Sequence, residues 1–513
     1  MEFPTGVLLG DDVFGHPPGQ LVAIHFANGK IESAAAVQPA EIPALIESAG
    51  AGLLDTRGLL VLPGLIDAHL HAIATGMLML TTDLHEVASR EELAAVIHSA
   101  AAGGDEFIRL GGLDPSRLGA DTDLITRAWL DDLVPDRALY IKSVEGHSAW
   151  FNTPAWQRIG VATMLEQCEV PPATQQAMFA AGRVYGNTYE QLVTPIYDSY
   201  SFEERRRGME LVIAEAQRVG LTGLHCLEGY GEHRRHDFQM MLELNRRDDI
   251  DLTLYCRDAT PRLALELGVP RFGGCWCIDG AIAAYSAALA EPYHDKPDTD
   301  GELYFSNDDL RGWIEAGLQA ELQICLHAIG ERALAQALDA FEALAGKYDL
   351  PALRPRLDHF VMGTPELAAR AARLGVISSM QPAFDARWGG PDGGYAQRLG
   401  STRAMRSNPI GMVIREGVRV AGGSDCYITP LDPLGGIRAA VEHHNPAMRV
   451  DFPTAVNLFT AEAAYFSFNE NNRGRIAPGW QADFTIVDGD RALAPTAGVA
   501  LTVKAGCVVY RSP

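Results

Sequence analysis

The feature that most constrains the fold of this 513-residue chain is an alternation of short apolar runs with longer helical patterns. Parallel strands joined by crossover helices produce this alternation. Eight runs fit the strand pattern, at residues 65–71, 221–227, 252–257, 275–280, 322–327, 356–361, 376–381 and 418–425. They predict an α/β fold, a (β/α)8 TIM-type barrel over residues 61–475.

One connection is much longer than a barrel unit requires. Residues 72–201 separate the first two predicted strands, and structureless loops of that length are rare. Strand-like runs at 107–113 and 138–143 indicate that the segment has structure of its own. We expect an inserted subdomain that packs over the end of the barrel where the first strand finishes.

The two ends of the chain carry shorter strand patterns. Near the start, Asn28 and Gly29 lie between two alternating runs, which is the signal of a hairpin. Residues 476–512 hold two or three further short strands. Because neither end can bury a core alone, we expect residues 1–60 and 476–513 to form one small composite β-sandwich.

Charge and hydropathy exclude several classes of function. Acidic residues outnumber basic ones by 66 to 42, and a net charge of −24 repels nucleic acid and anionic lipid. No apolar run approaches the ~20 residues of a membrane helix, and Glu2 stands where a secretory signal would be basic. We expect a cytoplasmic protein that acts on a small-molecule substrate and forms a homo-oligomer, specifically a dimer.

Histidines and an aspartate stand at the ends of predicted strands. His69 and His71 are two residues apart, so they lie on one strand face; His327 and His359 lie near the ends of consecutive strands, and Asp425 ends the last. Barrel active sites are built at these ends. The set predicts one or two divalent ions, zinc above all. Structural histidines and a helix N-cap at Asp425 are the alternatives.

Such a site has a direct chemical use. A bound ion lowers the pKa of a water molecule toward ~7, and the Asp425 carboxylate can accept the water's proton and return it to a leaving nitrogen. We therefore expect Asp425 and His359 to act in catalysis as well as in ligation.

Ordered motifs along most of the chain carry a resemblance to a known family. They are LPGLIDAHLH, PDRALYIKSVEGHSAWFNT, IDGAIAAYSAALAEPY, LHAIGERA, LDHFVMGTPE, GGSDCYITPLDP and GRIAPGWQADFTIVD. The chain resembles the amidohydrolase superfamily, and within it the amidohydrolase 3, YtcJ-like group that includes N-substituted formamide deformylases. The resemblance implies a barrel with a composite β-sandwich, metal-dependent hydrolysis of C–N bonds, and ligand roles for His69, His71, His327, His359 and Asp425.

The chain departs from the family at one important position. The group usually has a lysine four residues before an Asp-Gly pair, and its carbamylated amine bridges two metals. Here the pair is Asp279-Gly280 and the lysine position is Cys275. A thiolate from Cys275, or from Cys277 on the same face, can replace the bridge. The alternatives are a buried thiol beside a single metal and substitution by Lys142.

Further candidates concern the substrate. Glu145, Gly146 and His147 match the family's DGH motif, which implies that His147 and Glu145 contact substrate; a hydrogen bond that only fixes the loop is the alternative for His147.

Aromatic residues on loops after strands add a second prediction. Phe384, Trp388 and Tyr427 are expected to line an apolar pocket, with ordinary core packing as the alternative. A pocket of this kind favours an aromatic or bulky substrate.

These observations favour an enzyme, a hydrolase acting on carbon–nitrogen bonds other than peptide bonds. Its substrate is expected to be an amide, a formamide or an N-acyl amine. A deaminase or a cyclic-amide hydrolase acting on a heterocycle uses the same ligands and is the main alternative. The remaining alternative is a binding protein without enzymatic activity.

Overall fold

The computed structural model describes residues 5–104, 106–144, 146–168, 170–491 and 494–513. Its centre is a set of parallel strands, numbered here β1 to β8 in chain order. They are β1 Leu65–Leu70, β2 Leu221–Glu228, β3 Asp251–Cys256, β4 Arg271–Cys277, β5 Gln323–Ala328, β6 Arg356–His359, β7 Ser378–Met380 and β8 Val420–Gly422.

The strands form a TIM-like barrel. Strands β1 to β6 make one curled parallel sheet in sequential order, and β7 pairs with β8. A bridge between Arg356 and Ile377 joins this pair to β6, and a bridge between Leu70 and Cys426 joins it to β1. The architecture agrees with the barrel predicted from the alternation of strands and helices.

The structure corrects the predicted bounds of β4, which begins before Cys275 rather than at it. The ladder with β5 shifts register between Phe272 and Trp276. Within the shift, Gly273, Gly274 and Cys275 have φ of +117°, +50° and +66°. The glycines of this bulge give no apolar alternation, so the strand pattern in the sequence begins only at Cys275. Strands β7 and β8 are also shorter than predicted.

Helices cover the outside of the barrel. In helix Glu331–Leu344, Leu334, Leu338 and Phe341 are buried with helical spacing, which places one apolar stripe against the strands. No helix in the described part of the chain is long and apolar enough to cross a membrane. The other helices of the barrel region, some of which lie at the mouth of the barrel, are Phe202–Arg218, Arg234–Leu244, Arg262–Leu267, Asn307–Gln319, Leu350–Leu353, Pro365–Leu374, Pro382–Trp388, Gly394–Leu399, Ser401–Ala404, Ile410–Arg415, Pro433–Glu442, Phe452–Leu458 and Ala461–Phe466.

The segment between β1 and β2 has its own sheet and its own small core, which includes Leu93, Leu110 and Ile141. Its five strands are Thr82–Asp83, Phe107–Leu113, Ala138–Ser143, Ser148–Phe151 and Arg183–Tyr185, and two of them have the predicted bounds. Its helices are Ala72–Met79, Arg90–Ala102, Pro115–Leu118, Arg127–Leu133, Thr153–Ile159, Val161–Gln167, Pro172–Ala181 and Asn187–Asp198.

The two ends of this segment meet. Helix Ala72–Met79 packs against helix Phe202–Arg218 at Gly76 and Gly208. A Cβ at Gly76 would lie 2.4 Å from the carbonyl carbon of Gly208, so the two backbones approach closely because neither residue has a side chain.

Strands from both termini lie together beside the barrel. Antiparallel pairing of Phe484–Asp488 with Leu60–Pro63 joins the two ends in one sheet. This sheet shares a core with a four-stranded sheet, in which Phe26 and Phe484 pack together. The remaining strands are Gly6–Gly10, Asp12–Val13, Val22–Ala27, Lys30–Ala36, Leu53–Asp55, Gly498–Lys504 and Cys507–Arg511, with helix Ile42–Ala49 between them.

Candidate active site

The five predicted histidine and aspartate ligands come together at the carboxyl ends of the barrel strands. His69 lies in β1, His71 follows it, His327 lies in β5, His359 ends β6, and Asp425 follows β8. None of the five is more than 9% exposed. The barrel therefore concentrates five donor side chains in one buried place.

His69, His71 and Asp425 form the first donor group. Oδ1 of Asp425 lies 3.3 Å from Nε2 of His69 and 3.4 Å from Nε2 of His71. Among the described residues, His69 Nε2 and Asp425 Oδ1 have no partner with hydrogen-bond geometry. Nδ1 of His71 donates to the carbonyl of Leu227 at 2.9 Å, which leaves the Nε2 lone pair facing the group. Three buried donor atoms that face one another, two of them without a hydrogen-bond partner, fit a divalent ion.

A second donor group contains sulfur. Sγ of Cys275 lies 3.8 Å from Nδ1 of His327 and 3.8 Å from Nε2 of His359. The donor atoms of Cys275, Cys277 and His327 all lie within 4.8 Å of one another, as do those of His69, Cys275 and His359. The structure thus places Cys275 among the predicted ligands and connects the two groups.

Local backbone geometry at the site is unusual. Cys275, His359 and Asp425 are all in the left-handed region, with φ of +66°, +75° and +55°. Each such non-glycine residue costs on the order of 1–3 kcal/mol, and such residues concentrate at functional sites. At Gly423 a Cβ would lie 2.7 Å from the backbone nitrogen of His69, so a glycine is needed where β8 approaches β1.

Two hydrogen-bond acceptors that the sequence reasoning did not single out orient the histidines. Asp358 accepts from Nδ1 of His69 at 2.6 Å, and the Gln381 side-chain oxygen accepts from Nδ1 of His359 at 2.8 Å. With Nδ1 engaged in this way, each ring turns Nε2 toward the donor groups. The only sequence signal was position: Asp358 precedes His359, and Gln381 follows β7.

Asp358 is also half of a buried ion pair. Its Oδ2 lies 2.6 Å from Nη2 of Arg356, which also donates to the carbonyl of Ala68 at 2.9 Å. Both charged side chains are fully buried. Burial alone would raise the pKa of Asp358, but Arg356 and His69 outweigh it and hold that pKa well below its usual range.

The charge of the site favours a cation. Burial lowers the pKa of His69, but the carboxylates of Asp425 and Asp358 overcome this effect and raise it to about 9. With no ion present, the His69 ring therefore holds a proton between two carboxylates. His359 behaves differently, since burial lowers its pKa to about 4 and keeps the ring neutral.

A cavity of about 650 Å³ opens above the donor groups. Its walls include three predicted aromatic residues, Phe384, Trp388 and Tyr427. The Phe384 ring lies parallel to the His359 ring at 6.0 Å, and Trp388 packs on Phe384 at 5.2 Å. This size and lining suit a small molecule with an apolar or aromatic part.

The segment between β1 and β2 supplies another wall of the cavity. His147 lines it, with its ring 6.1 Å from the His327 ring. Lys142, the alternative to a bridging lysine, has its ammonium 3.5 Å from the centroid of the Tyr427 ring. Glu145 lies outside the described residues.

The fold is shared with solved structures of barrel hydrolases. A crystal structure described as an uncharacterized metal-dependent hydrolase from Pyrococcus horikoshii matches with a TM-score of 0.73 and 21% identity over 96% of this chain and 99% of that one. A 5-methylcytosine deaminase from Klebsiella pneumoniae matches with a TM-score of 0.56 and 14% identity over 99% of this chain and 98% of that one.

The sequence defines the family more closely. The model of the amidohydrolase family matches residues 52–510, and the chain belongs to that family. The putative amidohydrolase YtcJ of Bacillus subtilis is 27% identical, over 89% of this chain and 90% of its own length. An N-substituted formamide deformylase of Arthrobacter pascens is 22% identical, over 86% and 85%. These relatives place the chain in the YtcJ-like group of the family, whose members are hydrolases.

Proposed function

We propose that the protein is a metal-dependent amidohydrolase that cleaves a C–N bond of a small amide, formamide or N-acyl amine by addition of water. The observation that carries the proposal is the buried group of His69, His71 and Asp425 at the floor of the cavity.

The ligands proposed for one or two divalent ions are the five histidine and aspartate side chains at the strand ends, and their nitrogen and oxygen donors suit zinc. When bound there, the ion supplies Lewis acidity and makes hydroxide accessible near neutral pH. The acceptors of the Nδ1 protons, Asp358 and Gln381, keep the rings of His69 and His359 in place for it.

Proton transfer is assigned to Asp425. Although burial raises the pKa of Asp425, His69 and His71 lower it well below its ordinary value, so the group is ionised. It takes one proton from the attacking water and delivers it to the leaving nitrogen, which gives a carboxylic acid and an amine. His359 contributes beside it as a ligand that remains neutral.

Substrate binding is assigned to the walls of the cavity. His147 can donate a hydrogen bond to the substrate carbonyl oxygen from the side opposite the barrel floor. Phe384, Trp388 and Tyr427 form the apolar part, which favours an aromatic or bulky acyl or amine group. Glu145 stays a predicted substrate contact.

The test combines metal analysis with a product screen. We expect the purified protein to contain zinc or another divalent ion, and to release an acid and an amine from at least one N-formyl or N-acetyl amine, whereas ring opening of cyclic amides alone would favour the alternative. Asp425→Asn should lower kcat by about 10²–10⁴-fold. His98→Ala, a change at an exposed histidine of helix Arg90–Ala102, is the matched control and should have no effect.

Two results would overturn the proposal. Release of ammonia and the deaminated product from a heterocyclic amine, with none of the amides cleaved, would assign the protein to deaminases instead. A protein that binds no divalent ion and turns over none of the amides would indicate a binding protein.

A further inference from the structure

The cysteines of β4 point to a chemistry that the histidines and the aspartate do not supply. We infer that Cys275, Cys277 and His327 form a thiolate subsite for a second, thiophilic divalent ion, beside the group of His69, His71 and Asp425. This inference rests on the proposed metal-dependent function.

The distances fit such an ion. A tetrahedral zinc ion binds sulfur at about 2.3 Å and imidazole nitrogen at about 2.0–2.1 Å, which places a sulfur and a nitrogen ligand about 3.6 Å apart. Sγ of Cys275 and Nδ1 of His327 lie 3.8 Å apart. The sulfur of Cys277 lies within 4.8 Å of both atoms. A small adjustment of side chains brings all three into ligand positions.

The backbone of β4 is built to hold this pair. A Cβ at Gly273 would lie 2.0 Å from the carbonyl oxygen of Cys325, and one at Gly274 would lie 2.7 Å from the backbone nitrogen of Arg257. Only glycines therefore permit the bulge, and the bulge sets Cys275 at φ +66°. A cysteine that merely filled space would not require a conformation that costs on the order of 1–3 kcal/mol.

Charge and ligand type complement the first donor group. Each thiol that binds the ion loses its proton to solvent as the sulfur–metal bond forms. Two thiolates and Asp425 then offset most of the charge of two divalent ions in a buried site. Thiolates prefer zinc, cadmium and cobalt to magnesium or manganese, whereas the histidine and carboxylate group is less selective.

The competing interpretation is packing. Cys275 belongs to a small apolar cluster with Leu227, Tyr255 and Cys325, and a buried thiol can serve as a small hydrophobic side chain. In that case the sulfur atoms contribute nothing to metal binding, so measurements of binding and of spectra distinguish the two interpretations.

The experiment is a cobalt titration of the whole protein after removal of its metals with a chelator. Binding stoichiometry and near-ultraviolet absorption from thiolate-to-cobalt charge transfer are followed together. We expect the wild type to bind two equivalents and to develop the absorption band. Cys275→Ser and Cys277→Ser should each bind one equivalent and lose intensity in the band.

Controls separate the two sites. Cys256→Ser, a change at a buried cysteine that ends β3 outside these donor groups, should behave as the wild type does. His69→Ala should lose the first equivalent and keep the band. The absorption band of the wild type is measured without any variant. If a serine variant does not fold, Cys277→Ala can take its place, so the inference can still be tested.

The outcomes also distinguish this inference from the proposed function. Wild-type protein that binds one cobalt without the band, or a double Cys275→Ser/Cys277→Ser variant that keeps both ions and the band, would overturn the thiolate subsite and leave the amidohydrolase intact. Absence of any bound cobalt would overturn both.

Discussion

The buried pair of Arg356 and Asp358 offers a quantitative prediction. Asp358 contacts Arg356 and His69 at 2.6 Å each, and all three side chains are fully buried. Asp358→Asn keeps the shape of the side chain but leaves the guanidinium without its counter-charge. Loss of one partner of a buried ion pair costs about 3–5 kcal/mol, so we expect the free energy of unfolding of the metal-free protein to fall by about that amount.

A double-mutant cycle isolates the pair itself. Arg356→Met leaves Asp358 with His69 as its remaining partner and should also be destabilising, whereas Arg356→Met/Asp358→Asn removes both charges of the pair. We expect the double variant to lose less stability than the sum of the single variants, with a coupling energy of about 0.5–3 kcal/mol. Urea unfolding followed by near-ultraviolet circular dichroism measures the three changes. Additive losses would refute the reasoning.

The dependence of the protein's stability on pH in the acid range supplies a second readout. The pKa of Asp358 lies well below its usual value of about 4, so its stabilisation is present above that pH and is lost as pH falls through the folded value. Asp358→Asn has no such group to protonate. Its stability should therefore fall less steeply between about pH 4 and pH 2 than that of the wild type, and equal slopes would contradict the assignment.

Three further predictions concern Gln381, Gly76 and Trp388. Gln381→Ala removes the acceptor for Nδ1 of His359 and should weaken zinc binding about 10–100-fold, as measured by competition with a chromophoric chelator. Unchanged zinc affinity would exclude an orienting role for Gln381. Gly76→Ala forces a Cβ against Gly208 and should destabilise by about 1–3 kcal/mol in calorimetry, while Gly312→Ala, with open space around it, should not. Trp388→Ala should raise KM more for aromatic than for aliphatic amides in steady-state assays, and equal changes would remove this residue from the aromatic wall.

Much of the barrel could be predicted from sequence because its strands are buried on both faces and stand out as apolar runs between helices. Strand β4 was the exception. Its bulge contains two glycines and a cysteine at positive φ, and that conformation is stabilised by neighbouring strands rather than by any local preference.

The site residues at strand ends could be predicted from the sequence. The site residues whose role depends on contacts between strands could not. Neighbouring residues of a regular strand point to opposite faces, so Asp358 was not expected to reach the centre beside His359. The left-handed backbone at His359 breaks this alternation, and Asp358 bonds to His69 while His359 lies beside Cys275. Cross-strand register in the closed barrel decides these contacts, and one sequence does not encode register visibly.

The close approach of Gly76 and Gly208 makes the segment between β1 and β2 a unit that can be replaced as a whole, a cassette. The chain leaves the barrel through helix Ala72–Met79 and returns to it through helix Phe202–Arg218, and the two backbones approach closely at Gly76 and Gly208, so exchange of the segment beyond that contact need not stretch either strand. Loop closure between two points already in contact depends only weakly on the length of the loop. An engineered variant can therefore exchange this cassette, with His147 and its wall of the cavity, while the donor residues on the strands remain in place.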